Sequence, residues 1–151
     1  DKGKTSAPTN ALKAIAIGSV EGKVIPFEMP YQGRENYHFV EDVGAHFAAC
    51  ALQPFEGFGA FNIKGKTIAI EDFLNIVKNQ AQDLGLGEFV KLSITEGAPP
   101  NLFVSDLSHE KIARTFKDLP LTSIEDGVRR SLIEFKKMAE NGTLEYSKAG
   151  S

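Results

Sequence analysis

Residues Gly33 to Gly65, GRENYHFVEDVGAHFAACALQPFEGFGAFNIKG, constrain the fold more than any other stretch. They read as strand, acidic turn, helix, glycine-rich loop and strand. Phe39 and Val40 close an extended run. Glu41 and Asp42 stand where a helix begins, offering a cap and negative charge to its exposed amides. Val43, Phe47, Cys50 and Ala51 then fall at i, i+4, i+7 and i+8, the apolar stripe of a core-facing helix. Pro54 to Gly59 breaks that helix, and Ala60-Phe61-Asn62-Ile63 restarts as a short buried strand before Gly65.

The flanking chain supplies more of the same alternation. Pro8, Thr9 and Asn10 start a helix that places Leu12, Ile15 and Ala16 on one face and ends at Gly18. Pro26 and Pro30 forbid a central strand and leave short edge pieces, with a small hairpin over Val20–Phe27 around Glu21-Gly22. Ile70, Phe73, Leu74, Val77, Ala81 and Leu84 give the cleanest amphipathic helix, weakened at its start because Ala69 stands where a polar cap is preferred. Glu88–Ile94 alternates as a strand, and GAPPN after it is a loop. Ser108 caps a short helix that buries Ile112, Ala113 and Phe116. Thr122 and Glu125 form a capping box before Ile124, Val128, Leu132 and Phe135, and Asn141-Gly142 closes that last helix. Residues 1–140 therefore read as one domain and 141–151 as a frayed tail. Short strands separated by long helices require crossovers, so the class is α/β, and the sheet these strands belong to lies largely elsewhere.

A chain of 151 residues is long enough for one proper core. A net charge of −3 leaves no basic footprint for nucleic acid. The apolar runs are too short for a membrane span, and no signal peptide opens the chain, which points to the cytoplasm. The chain starts at Asp1 without a Met, so removal of an N-terminal address stays open. A single cysteine, Cys50, excludes an internal disulfide. It reads as a buried packing thiol; His46 lies at i, i+4 from it, but a dyad needs a third group and a pocket. His38, His46 and His109 are too dispersed for a metal site. The basic pairs at 129–130 and 136–137 read as a solvated face.

FVEDV, the apolar helix after it and FNIKG resemble the C-terminal half of the NAD-dependent epimerase/dehydratase family, the extended short-chain dehydrogenases. There an aromatic-Val-acid-Asp-Val run precedes a helix and then an Asn-Ile/Leu-Gly strand. The resemblance continues through IEDFL, through Asp106-Leu107-Ser108 as an Asp-x-Ser helix start, and through PLTSIEDGVRR as a Pro-x-Thr-x-x-Glu-x-Gly-aliphatic-Arg helix. It runs in order over residues 1–138, and the ordered set carries it rather than any one motif. It implies the C-terminal portion of a Rossmann-like fold, lacking the N-terminal dinucleotide-binding half. It also implies hydride transfer on a small or carbohydrate-like substrate, with NAD or NADP held by the missing half.

The chemistry searched for on that basis is incomplete in this chain. Gly57-Phe58-Gly59 and Gly85-Leu86-Gly87 lack the third glycine and lead into strands, so both are turns rather than a dinucleotide cradle. The fourth residues after Tyr31, Tyr37 and Tyr146 are Glu35, Glu41 and Gly150, so the family's Tyr-x-x-x-Lys pair is absent. By the resemblance, the loop of residues 1–9 lines the substrate pocket, with Lys2, Lys4, Thr5, Ser6 and Thr9 as polar contacts; a solvated loop and helix cap is the plainer reading. Family members acting on sugar nucleotides carry a phosphate-gripping arginine seven residues before the second acid. Here that position is Glu35, beside Arg34. Either Arg34 acts from a loop position or the substrate carries no diphosphate, and the second is preferred; surface pairing of Arg34 with Glu35 or Glu41 is the alternative.

The expected substrate-binding residues are thus Thr5, Ser6, Thr9 and Arg34, with no catalytic, cofactor or metal residue in the chain. Expected partners are a small-molecule substrate and the missing Rossmann half, in the same polypeptide or a separate one, with a homo-oligomer also open. A non-catalytic ligand- or protein-binding module and one half of a split enzyme are the alternatives.

Overall fold

The structure, a computed structural model, describes residues 6–102 and 107–146. Pro8 lies in the first turn of α1 (Ala7–Glu21), where a missing N–H breaks no helical bond. The helix does not stop at Gly18. It runs on to Gly22, which takes the left-handed conformation at φ 65°. A Cβ at Gly18 would lie 2.5 Å from the Lys23 carbonyl oxygen, and the Lys23 N–H donates to the Gly18 carbonyl at 3.0 Å. Gly18 therefore makes room for the returning chain, and Gly22 performs the termination. Because Val20 is still helical, no hairpin forms over Val20–Phe27.

Three helices make the main core. Leu12 and Ile15 of α1 pack with Phe73, Val77 and Ala81 of α3 (Ile70–Asp83) and with Ile124, Val128 and Leu132 of α5 (Ile124–Glu140). The spacing of both later helices predicts these buried faces. Ala69 is the α3 N-cap and makes no side-chain cap bond, as expected of alanine. The first turns of α1 and α5 border one cavity, and their last turns border a second groove. The two helices therefore run in the same direction.

Two short sheets complete a mixed α/β architecture of five α-helices among the described residues. β1 (Phe27–Met29), bracketed by Pro26 and Pro30, pairs in parallel with β4 (Leu92–Ile94), Phe27 opposite Leu92 and Met29 opposite Ile94. Ala7, Ala11 and Ala14 of α1 pack over Phe27, Met29 and Tyr31; their small side chains let the helix lie close to the strand. The expected strand over Glu88–Ile94 is shortened because Gly87–Phe89 forms a 3-10 turn. β2 (Arg34–Tyr37) pairs antiparallel with β3 (Lys66–Ala69), Arg34 opposite Ala69 and Tyr37 opposite Lys66.

The organising stretch itself needs correction. α2 (Val40–Leu52) has Phe39 at its N-cap, so Val40 opens the helix rather than ending a strand. Asp42 and His46 are its buried residues; Phe47 is exposed and Cys50 only half-buried. Among the described residues 60–63 pair with no strand, and Lys66–Ala69 takes their place beside β2. At Gly65 the chain crosses β2 so closely that a Cβ would lie 2.2 Å from Asn36 Oδ1, and pairing begins only beyond it. In α4 (Glu110–Thr115) Ile112 is buried, as is Phe116 after it, but Ala113 faces solvent. The N-cap of α5 is Ser123, whose Oγ accepts from Asp126 N–H at 3.1 Å, so the Thr122–Glu125 box does not form.

Asn141 is the α5 C-cap and Gly142 follows at φ 68°. The chain beyond is not frayed up to Tyr146. Lys13 Nζ donates to the Glu145 carbonyl at 2.8 Å, and Tyr146 packs beside the β1 cluster. The basic pairs of α5 are also engaged: Arg130 lies over the Phe39 ring at 4.7 Å and pairs with Glu41, and Lys136 sits 3.6 Å from Glu140. An exposed helical Gly→Ala change ordinarily gains about 0.5–1 kcal/mol. Gly18→Ala is expected to lose about 2 kcal/mol instead, because the added carbon meets backbone, a sign reversal that urea unfolding would measure.

Candidate functional site

A cavity of about 120 Å³ opens where the first turns of α1 and α5 meet the end of β2. Leu12, Phe73 and Val128 give it an apolar wall, while Thr9, His38, Lys66, Ser123 and Ser131 supply polar groups. Among the described residues no carboxylate lines it. Tyr37 forms one wall with its ring stacked on Phe73 at 4.3 Å and 12°. Its hydroxyl is buried without a hydrogen-bond partner. Burial first, and then the carboxylates of Glu35 and Glu71, push the Tyr37 pKa far up, so this group stays a neutral phenol.

Glu35 lies two residues before Tyr37 and so on the same face of β2. Its carboxylate accepts the Tyr31 hydroxyl at 2.6 Å. Burial raises the Glu35 pKa and outweighs the opposing effect of that bond. Tyr31 is buried, and burial, followed by its bond to Glu35, raises its pKa in turn. Tyr31 just before β2, and Glu35 and Tyr37 on it, thus make a row of groups whose pKa values burial raises, ending at the cavity.

The expected substrate contacts do not converge. Lys2, Lys4 and Thr5 lie outside the described residues, as does Asp106. Ser6 is the α1 N-cap; its side chain caps no backbone amide and instead meets Asn10 Nδ2 at 3.5 Å. Thr9 does line the cavity. Arg34, however, pairs with Ala69 at the far end of β2 from Tyr37 and Lys66, roughly 10 Å away at ~3.3 Å per residue. It sits in a strand, not a loop: its carbonyl accepts from Asn101 Nδ2 at 3.3 Å, and its guanidinium donates to the Thr67 carbonyl at 3.4 Å.

The cavity rim is fixed from outside by two polar contacts that periodicity did not reveal. Asp42 accepts from the Thr122 N–H at 2.6 Å and from the Thr122 hydroxyl at 2.8 Å, so it secures the segment before α5 rather than capping α2. One turn on, the His46 Nε2–H donates to the Pro120 carbonyl at 2.8 Å, leaving Nδ1 buried without a partner. Lys64 Nζ adds a bond to the Leu119 carbonyl at 3.1 Å. The available signal was the i, i+4 spacing of two polar residues on one helix face.

Among the described residues no group of three His, Cys, Asp or Glu is placed to hold a metal, and no helix is long and apolar enough to cross a membrane. Neither Gly57-Phe58-Gly59 nor Gly85-Leu86-Gly87 opens an α-helix, so neither forms a pyrophosphate cradle. Neither a family model, a curated protein nor a solved structure matches this chain.

A carboxyl whose folded pKa is raised supports folding below its ordinary value of 4.5 and loses that support as pH rises through the folded value. Glu35→Gln keeps an acceptor for Tyr31. It is therefore expected to leave Tm unchanged at acidic pH and to raise it by about 2 °C at pH 8, as calorimetry would show. Asp42→Ala strands the Thr122 amide and should cost about 3 kcal/mol in urea unfolding, with Asp42→Asn costing less.

Proposed function

We propose that this chain is the substrate-binding portion of an NAD(P)-dependent epimerase, dehydratase or dehydrogenase, a C-terminal part of a Rossmann-like extended short-chain dehydrogenase that is not catalytically complete alone. The ordered motifs from FVEDV to PLTSIEDGVRR support this reading. In the fold, one observation carries it: a small cavity, apolar on one side and polar on the other, with Thr9 among its lining residues. Its volume of about 120 Å³ is close to that of apolar cavities that admit one six-membered ring (~150 Å³), a size suited to a small or carbohydrate-like substrate.

The described residues do not fit a dinucleotide, so NAD or NADP belongs to the N-terminal half in this reading. This chain's own part is to bind and orient. Thr9 and Ser123 offer hydroxyls to a polyol, Lys66 offers a cation, and the Tyr37 ring offers a flat apolar wall. Ser6 stands one helical turn from the cavity residues, and Thr5 precedes it. Arg34, at the other end of β2, meets only a substrate long enough to span the strand, which agrees with a substrate lacking a diphosphate. The exposed face of α2 favours a second reading, a module or split half whose ligand is another protein.

Amide NMR of the chain titrated with methyl glucoside, lactate and UDP-glucose tests the proposal. Shifts centred on Thr9, His38, Lys66 and Ser123 with a sugar or hydroxy acid are expected. Lys66→Ala together with Thr9→Val should weaken that binding about tenfold, near 1.4 kcal/mol. Silence of the cavity toward all three ligands at tens of millimolar, with the fold intact, would remove the reading. Shifts at Arg34 with UDP-glucose alone would restore the diphosphate alternative.

A further inference from the structure

The lining of the cavity between α1, α5 and the end of β2 divides by depth. Leu12, Phe73, Ile124 and Val128 are buried and form its floor. Thr9, His38, Lys66 and Ser123 are exposed and stand at its rim. A ligand that matches this division is apolar at its inner end and polar at its outer end. A pyranose matches it poorly. Its ring carries hydroxyls around the whole circumference, and those turned to the floor lose water without gaining a partner.

The rim also has a sign. Lys66 stands opposite Tyr37 in the β2–β3 pair, and among the described residues its ammonium joins no ion pair. Ser123 Oγ accepts the Asp126 N–H at 3.1 Å and keeps its own proton to donate. Thr9 adds a second hydroxyl. His38 Nδ1 lies 3.1 Å from the Lys64 carbonyl; with its proton donated there, the neutral ring keeps Nε2 as an acceptor. The rim thus offers a cation and a hydroxyl donor to an anionic group, and a hydroxyl and an imidazole nitrogen to an alcohol. Among the described residues no carboxylate lines the cavity to repel an anion. Asp42 bonds Thr122 through both carboxylate oxygens, which offsets its charge where it approaches the lining.

We propose that this cavity seats a small 2-hydroxy acid with a branched apolar tail. Its carboxylate meets Lys66 and the Ser123 hydroxyl, its alcohol meets Thr9 and His38 Nε2, and its tail lies on Leu12, Phe73 and Val128. This ligand class rests on the functional reading above and narrows it, the alcohol carbon being the kind of centre that reading acts on. Three helices contribute to the floor, Leu12 from α1, Phe73 from α3, and Ile124 and Val128 from α5. Such a floor is broad rather than slot-shaped, and a branched tail covers it better than a straight one. Size agrees as well. A volume of about 120 Å³ is somewhat below the ~150 Å³ that holds one six-membered ring, which leaves room for an acid of about five carbons.

Amide NMR of the chain at pH 7.5, titrated separately with 2-hydroxy-3-methylbutyrate, its primary amide, lactate and methyl glucoside, tests this. The branched acid is expected to shift Thr9, His38, Lys66 and Ser123. It should bind about fivefold more tightly than its amide, the span of an exposed ion pair. It should bind about tenfold more tightly than lactate, which lacks the two carbons that cover the floor. Lys66→Gln, at an exposed position, is expected to abolish the preference for acid over amide and to leave Tm unchanged. Equal binding of acid and amide overturns the inference, as does a preference that survives Lys66→Gln. Lactate binding as tightly as the branched acid, or no response to that acid with the fold intact, overturns it too. Methyl glucoside filling the cavity where the acid does not would overturn the inference and leave the functional reading standing. The reverse result is the acid binding as described while the native protein, recovered through a C-terminal tag, carries no dinucleotide-binding half, contiguous or separate; the ligand class then stands and the functional reading falls.

Discussion

The same-direction packing of α1 and α5, with α3 against α5 and sharing the same core, is the constraint on which the rest of this structure depends. Two helices running the same way cannot be joined by a short loop, so the whole intervening chain returns from the end of one to the start of the other. That return contains both sheets, α2 and α4. It also places two helix N-termini side by side, with amides left unsatisfied by intrahelical bonds at one end of the core. The cavity lies there, and among the described residues no carboxylate lines it. At the opposite end the segment after α5 folds back on α1, with Lys13 bonded to the Glu145 carbonyl and lying over the Phe135 ring at 5.8 Å.

Next to that packing, the Asp42–Thr122 and His46–Pro120 bonds explain why α2 is turned inside out. The segment before α5 exposes polar backbone where α2 approaches, and buried backbone groups require partners. Asp42 and His46 provide them, and both are nearly fully buried. Once the polar residues face inward, the apolar stripe of the same helix must face outward. The rim of the cavity and the exposed patch therefore have one cause. A buried aspartate with two donors is stable only while both donors remain, so the rim is held by a contact intolerant of small changes.

Along β2 the same economy of partners is seen in a different form. Glu35 is half-buried beside Tyr31, and Tyr37 ends the row with a buried hydroxyl that has no hydrogen-bond partner among the described residues. Burial raises the pKa of each of these groups. Arg34, at the exposed start of the strand, points to a different neighbourhood from Thr9. The described lining of the cavity thus offers mainly hydroxyls, one lysine and aromatic faces.

The sequence by itself determined the local elements. Pro8 marks the start of α1, Pro26 and Pro30 confine β1, GAPPN is a loop, and the spacing of Ile70–Ala81 and Ile124–Leu132 gives the buried faces of α3 and α5. Ala69 as a weak cap and Asn141-Gly142 as a helix end were legible too. These features are set within a few residues by proline, glycine and side-chain period. Only the tertiary structure decided which side of α2 turns inward, because the partner of Asp42 lies 80 residues away. It decided that Lys66–Ala69 rather than Ala60–Ile63 pairs with β2, since a strand records its period but not its neighbour. It gave Gly18 to a crossing backbone and Thr122 to Asp42 in place of their local roles, and it set Arg34 apart from Thr9. Periodicity fixes how residues face one another along an element, while the surroundings of that face depend on contacts between distant parts of the chain.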